Sequence, residues 1–174
     1  MAIYQYGERI PQIGNASYIS ETAVVIGDVV IGDGCYIGHG AVLRGDYGSI
    51  KIGDGTAVEE NAVVHIRPDG LSEIEERVTV GHGAIIHGKL IKSYAVIGLG
   101  AVIGFDVIVG RHSIVAEGCV VPKGKTIPDE TIVAGAPFKI IGDILEKHKK
   151  FWAYGKQLYV DLAKEYPQKL KRID

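Results

Sequence analysis

Three of the six histidines in this 174-residue chain, His65, His82 and His87, fall within one short stretch. Imidazole is the commonest side-chain metal ligand. His65 follows the aliphatic Val64 and His87 follows the aliphatic Ile86, so the two hold the same place in a local pattern. His82, in Val80-Gly81-His82-Gly83-Ala84, comes one position later in its own unit and should aim outward in another direction. Three neutral imidazoles with one open position make the ligand set of a catalytic zinc site. A cation held that way lowers the pKa of its water from 15.7 to about 7 and provides hydroxide at neutral pH. His39, His112 and His148 have no phased neighbours and read as ordinary solvated side chains.

The elements that must position these histidines follow from a repeat of six. An aliphatic residue recurs at Ile19, Val25, Ile31, Ile37 and Leu43, slips phase across residues 44–49, and resumes at Ile52, Val58 and Val64. A second interruption covers residues 66–79. The pattern returns at Val80 and Ile86, shortens by one, and runs from Ile91 to Val133. Small residues, Cys35 and Cys119 among them, recur four places after the aliphatic position, which makes both cysteines buried fillers and not a redox pair. A period of six suits neither an amphipathic helix nor an alternating strand. It suits short strands joined by tight corners, with the aliphatic residue pointing inward, glycine after it easing the turn, and successive coils stacked about 4.8 Å apart. The expected fold is an all-β solenoid of hexapeptide repeats over residues 1–137, with residues 1–18 covering one end. Over residues 138–174 the apolar positions take helical spacing, Ile144, Leu145, His148, Phe151, Trp152, Leu158, Tyr159 and Leu162 among them. A terminal helix packed on the solenoid flank follows, with a kink or break expected at Gly155.

Composition narrows the function classes. A net charge of −2 with interspersed signs lacks the basic footprint of a nucleic-acid binder. No apolar run reaches the length of a membrane span, and the opening residues lack the pattern of a secretion signal. A cytoplasmic protein acting on a small molecule is the expectation.

If three such solenoids pack around a parallel axis, His82 of one subunit can meet His65 and His87 of its neighbour. At this point the chain resembles the γ-class carbonic anhydrases. The likeness rests on Gly27-Asp28-Val29, Leu43-Arg44-Gly45-Asp46, residues 61–65, Gly81-His82, His87-Gly88 and Gly135-Ala136-Pro137 before the terminal helix. The resemblance implies a left-handed β-helix, a homotrimer, and Zn2+, or Fe2+ or Co2+, shared between adjacent subunits through His65, His82 and His87. It implies reversible hydration of CO2 to bicarbonate by metal-bound hydroxide, with Arg44 and Asp46 paired beside the metal at the subunit boundary. An Arg–Asp pair can be bidentate, and the carboxylate can orient the metal's water. Tyr47 stands where active members carry an acidic residue, and Glu59 stands in place of their glutamine, which makes Glu59 a candidate base. Two other readings belong to the same fold: an acyl-CoA thioesterase or acyltransferase, and a non-catalytic metal-binding assembly subunit.

Overall fold

The computed structural model describes residues 2–174, which wind as a parallel β-solenoid of about seven turns closed by one terminal helix. Three faces share the strands. The first stacks residues 24–26, residues 42–44, Val63–His65, Ile85–Ile86, Val102–Ile103 and Val120–Val121. The second stacks residues 30–31, residues 50–52, Leu71–Ile74, Leu90–Ile91, Ile108–Val109 and Thr126–Ile127. The third runs from Tyr18–Ile19 through Tyr36–Ile37, Ala57–Val58, Thr79–Val80, Val96–Ile97 and Ile114–Val115 to Thr131–Ala134. Two long strands, Val24–Ile31 and Val42–Ile52, turn the corner from the first face to the second and join their hydrogen-bond ladders.

The inward positions are those the period of six picks out. Val25, Ile37, Leu43, Val64, Ile86, Ile97, Ile103 and Val115 have no exposed surface, and neither do the small residues Ala23, Cys35, Ala41, Ala62, Ala84 and Cys119. Both thiols are therefore inert fillers, and burial pushes the Cys35 thiol up to about 11.

Glycine plays a different part from the one expected. Gly32, Gly38, Gly81 and Gly110 follow the inward aliphatic residue, yet their backbone is not left-handed. A Cβ at Gly38 would stand 2.8 Å from the Glu60 backbone nitrogen, and one at Gly81 would stand 2.8 Å from the Ile97 carbonyl oxygen, both in the next coil. These glycines permit close stacking. The left-handed turn comes two residues later, at Gly34, Gly40, Gly83 and His112.

The second interruption is also shorter than the sequence pattern indicates. Leu71–Ile74 is a regular coil segment whose Ile74 stacks between Ile52 and Ile91, and Val78 is buried. Only the loop at residues 66–70 departs from the winding. The strand Leu71–Ile74 is hidden in the sequence because its buried Ser72 is polar, its hydroxyl donating to the Gly88 carbonyl at 2.8 Å, and Glu73 lies on the partly solvated side.

Ala2–Tyr4 and Gln12–Ile13 pair with Val24–Ile31 and cover one end of the solenoid. At the other end Lys139–Asp143 folds back antiparallel on Thr131–Ala134, so helix does not begin near residue 138. It begins at Glu146 and runs unbroken to Lys169 through Gly155. Tertiary packing overrides the roughly 1 kcal/mol glycine costs a helix. Lys156, Val160 and Ala163 turn toward the third face, where Tyr159, Leu162 and Tyr166 pack on Tyr18, Tyr36 and Ala57. His148 is a capping residue, not a free one: its Nδ1 accepts the Leu145 backbone N–H at 3.0 Å. Among the described residues no helix is long and apolar enough to cross a membrane.

Candidate metal centre

Register places Arg44 beside His65, and Val63–Val64 beside Ile85–Ile86, so His65 and His87 rise from adjacent strands of the first face at one corner. Their rings meet edge to face with centroids 5.2 Å apart. Phe105, from the next coil, lies 4.5 Å from the His87 ring and walls that side. His65 Nε2 and His87 Nδ1 are buried and have no hydrogen-bond partner. Such nitrogens are costly to leave unmade. Burial holds both imidazoles below the ordinary histidine range, reinforced by Arg44 at His65 and by the His65 ring at His87. Neutral imidazoles with free lone pairs are what a divalent cation requires.

Asp46 closes the corner. Alternation along the strand sends Arg44 and Asp46 to the same side. The pair is in place but is not a bidentate fork: Arg44 donates to Asp46 Oδ2 at 2.6 Å, while Oδ1 accepts the Tyr47 backbone N–H at 3.0 Å. Oδ1 also lies 3.5 Å from His65 Nε2, too far to satisfy it. Burial would raise the Asp46 carboxyl, but the bonds from Arg44 and Tyr47 outweigh it and keep the group ionised. Gly45 between them faces Gly27 of the previous coil, where a Cβ would strike the Asp28 carbonyl oxygen.

His82 stands apart from this pair and half exposed. Its Nδ1 lies 2.7 Å from Glu60 Oε2 and its Nε2 lies 3.2 Å from Glu59 Oε2, which also accepts the His82 backbone N–H. Glu59 is buried, and burial raises its carboxyl despite the opposing Tyr159 hydroxyl and His82. Glu60 is held below its ordinary value: burial opposes, but the Tyr36 hydroxyl at 2.7 Å and His82 prevail. The expected outward projection of His82 is what the structure has. Sequence reasoning missed Glu60, Tyr36 and Phe105, which approach only through coil stacking. Tyr159 reaches Glu59 from the terminal helix, while Tyr154 is exposed. Among the described residues no three His, Cys, Asp or Glu side chains of one chain gather to hold a metal ion. One chain supplies two free imidazole nitrogens and a third imidazole aimed elsewhere.

Residues 10–45 match the model described as bacterial transferase hexapeptide, six repeats. The chain is 36% identical over 164 residues to a carbonic anhydrase of Geobacillus kaustophilus, covering 94% of this chain and 90% of that protein. It is 35% identical to the carnitine operon protein CaiE of Citrobacter koseri, covering 94% of this chain and 83% of CaiE. The chain belongs to the hexapeptide-repeat family of the γ-class carbonic anhydrases and CaiE proteins. It is also 33% identical to the mitochondrial γ carbonic anhydrase 2 of Arabidopsis thaliana, but spans only 58% of that relative's length. Among solved structures, a Bacillus cereus protein described as a putative acetyltransferase superposes with a TM-score of 0.91 at 32% identity, covering 95% of this chain and 96% of that one.

Proposed function

We propose that this family member winds as a left-handed β-helix, assembles as a homotrimer, and reversibly hydrates CO2 to bicarbonate. In this reading His82 of one subunit joins His65 and His87 of its neighbour to hold Zn2+, Fe2+ or Co2+. The observation that carries it is the pair of buried, neutral and unpartnered imidazole nitrogens at one corner. A bound divalent cation supplies acidity to water, lowering its pKa to about 7.

The chain's own residues do the rest. Burial keeps His65 and His87 deprotonated, so lone pairs face the centre at neutral pH. Glu60 holds His82 Nδ1 at 2.7 Å and fixes its ring direction, as an outer carboxylate does for a ligating histidine, while the looser Glu59 contact at Nε2, 3.2 Å, must open for that nitrogen to ligate. Arg44 holds Asp46 ionised, and Asp46 Oδ1 is placed to accept a hydrogen bond from a water at the corner. Phe105 keeps bulk water from the His87 side. Glu59, whose carboxyl burial raises, is the candidate group to accept a proton beside the centre.

Stopped-flow CO2 hydration by protein reconstituted anaerobically with zinc or iron(II), beside His87→Ala, tests this. Metal-dependent hydration lost in the variant supports the reading. Full metal loading without hydration leaves the metal set standing and removes the reaction. A second reading, acyl transfer or hydrolysis of a CoA thioester, takes its support from the transferase names of the matching repeat and of the Bacillus cereus relative. Release of free thiol from acetyl-CoA in the same preparations would favour it. Metal binding with neither activity would mark a non-catalytic assembly subunit.

A further inference from the structure

The third face carries a titratable group that the corner histidines do not use. Lys156, on the terminal helix, is 4% exposed. Its Nζ donates to Thr79 Oγ1 at 3.1 Å and to the Ala95 carbonyl oxygen at 3.0 Å, both uncharged acceptors, and lies 5.8 Å from the Trp152 ring centroid. An ammonium group has three N–H donors, a neutral amine two and a lone pair. Two acceptors therefore satisfy the amine and leave the ammonium with a buried orphan donor. Burial drives Lys156 down to about 7, with Glu59 opposing and Arg77 adding to the shift.

Beside this amine lies a cavity of about 150 Å³ between the helix and the third face, walled by Val96, Ile114, Ile144 and Trp152. Lys156 is part of its lining. The polar groups around it are Tyr94 and His112 from the solenoid, and His148 and Lys149 from the helix. Burial lowers His112, so that imidazole is a neutral donor. Small apolar walls favour an uncharged linear molecule over its hydrated anion.

We propose that Lys156 is a carbamylation site: its side-chain amine captures CO2 within the helix-covered cavity. The Nζ lone pair forms the N–C bond, one C–O π pair moves onto oxygen, and one amine proton leaves to water, giving an N-carboxylate. The remaining N–H stays on the Ala95 carbonyl. The Thr79 hydroxyl, released as an acceptor, rotates to donate to the new carboxylate. Arg77 offsets the charge and Glu59 is the acidic group that opposes it. Lys149 at the cavity is already paired with Glu130 at 2.8 Å, and the His112 imidazole is a neutral donor. Capture of dissolved CO2 needs no turnover at the corner, so this inference stands or falls apart from the hydration reading.

The test is to equilibrate the purified full chain with 13C-bicarbonate at pH 7.4, record the carbamate carbon by NMR, then trap adducts with triethyloxonium and map them by peptide mass. An exposed lysine is neutral only about one part in a thousand at that pH. Among the lysines, the trapped adduct is therefore expected on the Lys156 peptide, at least about a hundredfold over any exposed lysine, with the N-terminal α-amine mapped separately as a second carbamate. Lys156→Met should remove the Lys156 carbamate resonance, Thr79→Val should weaken it, and His87→Ala should retain it. No adduct on Lys156, or an even spread over surface lysines, overturns the proposal. Mapping on the unmodified sequence decides the matter even where Lys156→Met does not fold.

Discussion

Two stretches of the same solenoid differ in how strictly they keep time. From Val96 to Val133 each coil takes eighteen residues, so Val96 stacks on Ile114 and Ile114 on Ile132. From Ile31 to Ile91 the stacked partners are Ile52 and then Ile74, and the spacing lengthens by three, lengthens by four, and then shortens by one. The regular coils bury their inward residues completely, and the Ser113 hydroxyl at a corner finds the Pro128 carbonyl. The irregular coils bury their aliphatic residues equally well, yet they hold the Arg44–Asp46 pair and the two orphan imidazoles. Periodicity fills the core, and the departures from it gather these polar side chains at a corner while the core stays closed.

Substitutions should separate these two roles. The largest effect falls on the irregular coils. His87→Ala should abolish stoichiometric metal uptake and lower hydration beyond the roughly 10- to 100-fold that outer partners of a metal cost. Its melting temperature should change little, because packing against Phe105 is lost while an unsatisfied buried nitrogen is relieved. His82→Ala should likewise lose metal and still sediment as a trimer, because in this reading apolar packing joins the subunits and the metal only bridges them. A monomer would break that half of the comparison.

Next comes the regular stretch. Ile97→Ala opens a cavity at a fully buried position and should cost about 2–5 kcal/mol in urea unfolding. Metal affinity in the protein that remains folded should be unchanged.

Lys156 gives a smaller, pH-dependent effect. Folding lowers its pKa from 10.5 to about 7, so between those values the unfolded chain holds the extra proton and stability rises with pH. The gain is complete only above the unfolded value and is lost as pH falls toward 7. In CO2-free buffer, unfolding free energies from urea titrations at pH 7 and pH 9 should spread by about 2 kcal/mol more in the parent protein than in Lys156→Met. Equal spreads would mean that the amine stays charged in the fold.

The smallest effect is that of Arg44→Ala on chain stability. Its side chain is 41% exposed and a pair of this kind contributes about 0–1 kcal/mol. The trimer, by contrast, should dissociate at higher protein concentration than the parent, as dilution experiments would register.

The sequence by itself determined the winding. A six-residue beat of Ile, Val and Leu with small residues four places on can bury itself only as stacked short strands, because each inward position is specified locally. The same beat put His65 and His87 in one slot and His82 out of it. Stacking between coils decided the rest, since it joins residues about twenty positions apart through the lengths of two irregular loops. It made Ser72 and Glu73 a strand, gave Gly38 and Gly81 a spacing role while the corner turn moved two residues on, and brought Glu59, Glu60 and Tyr36 around His82. It also carried the helix unbroken through Gly155 and buried Lys156 against Thr79. Local pattern specifies which side of a strand a residue faces, but only the packed coils determine what it meets there.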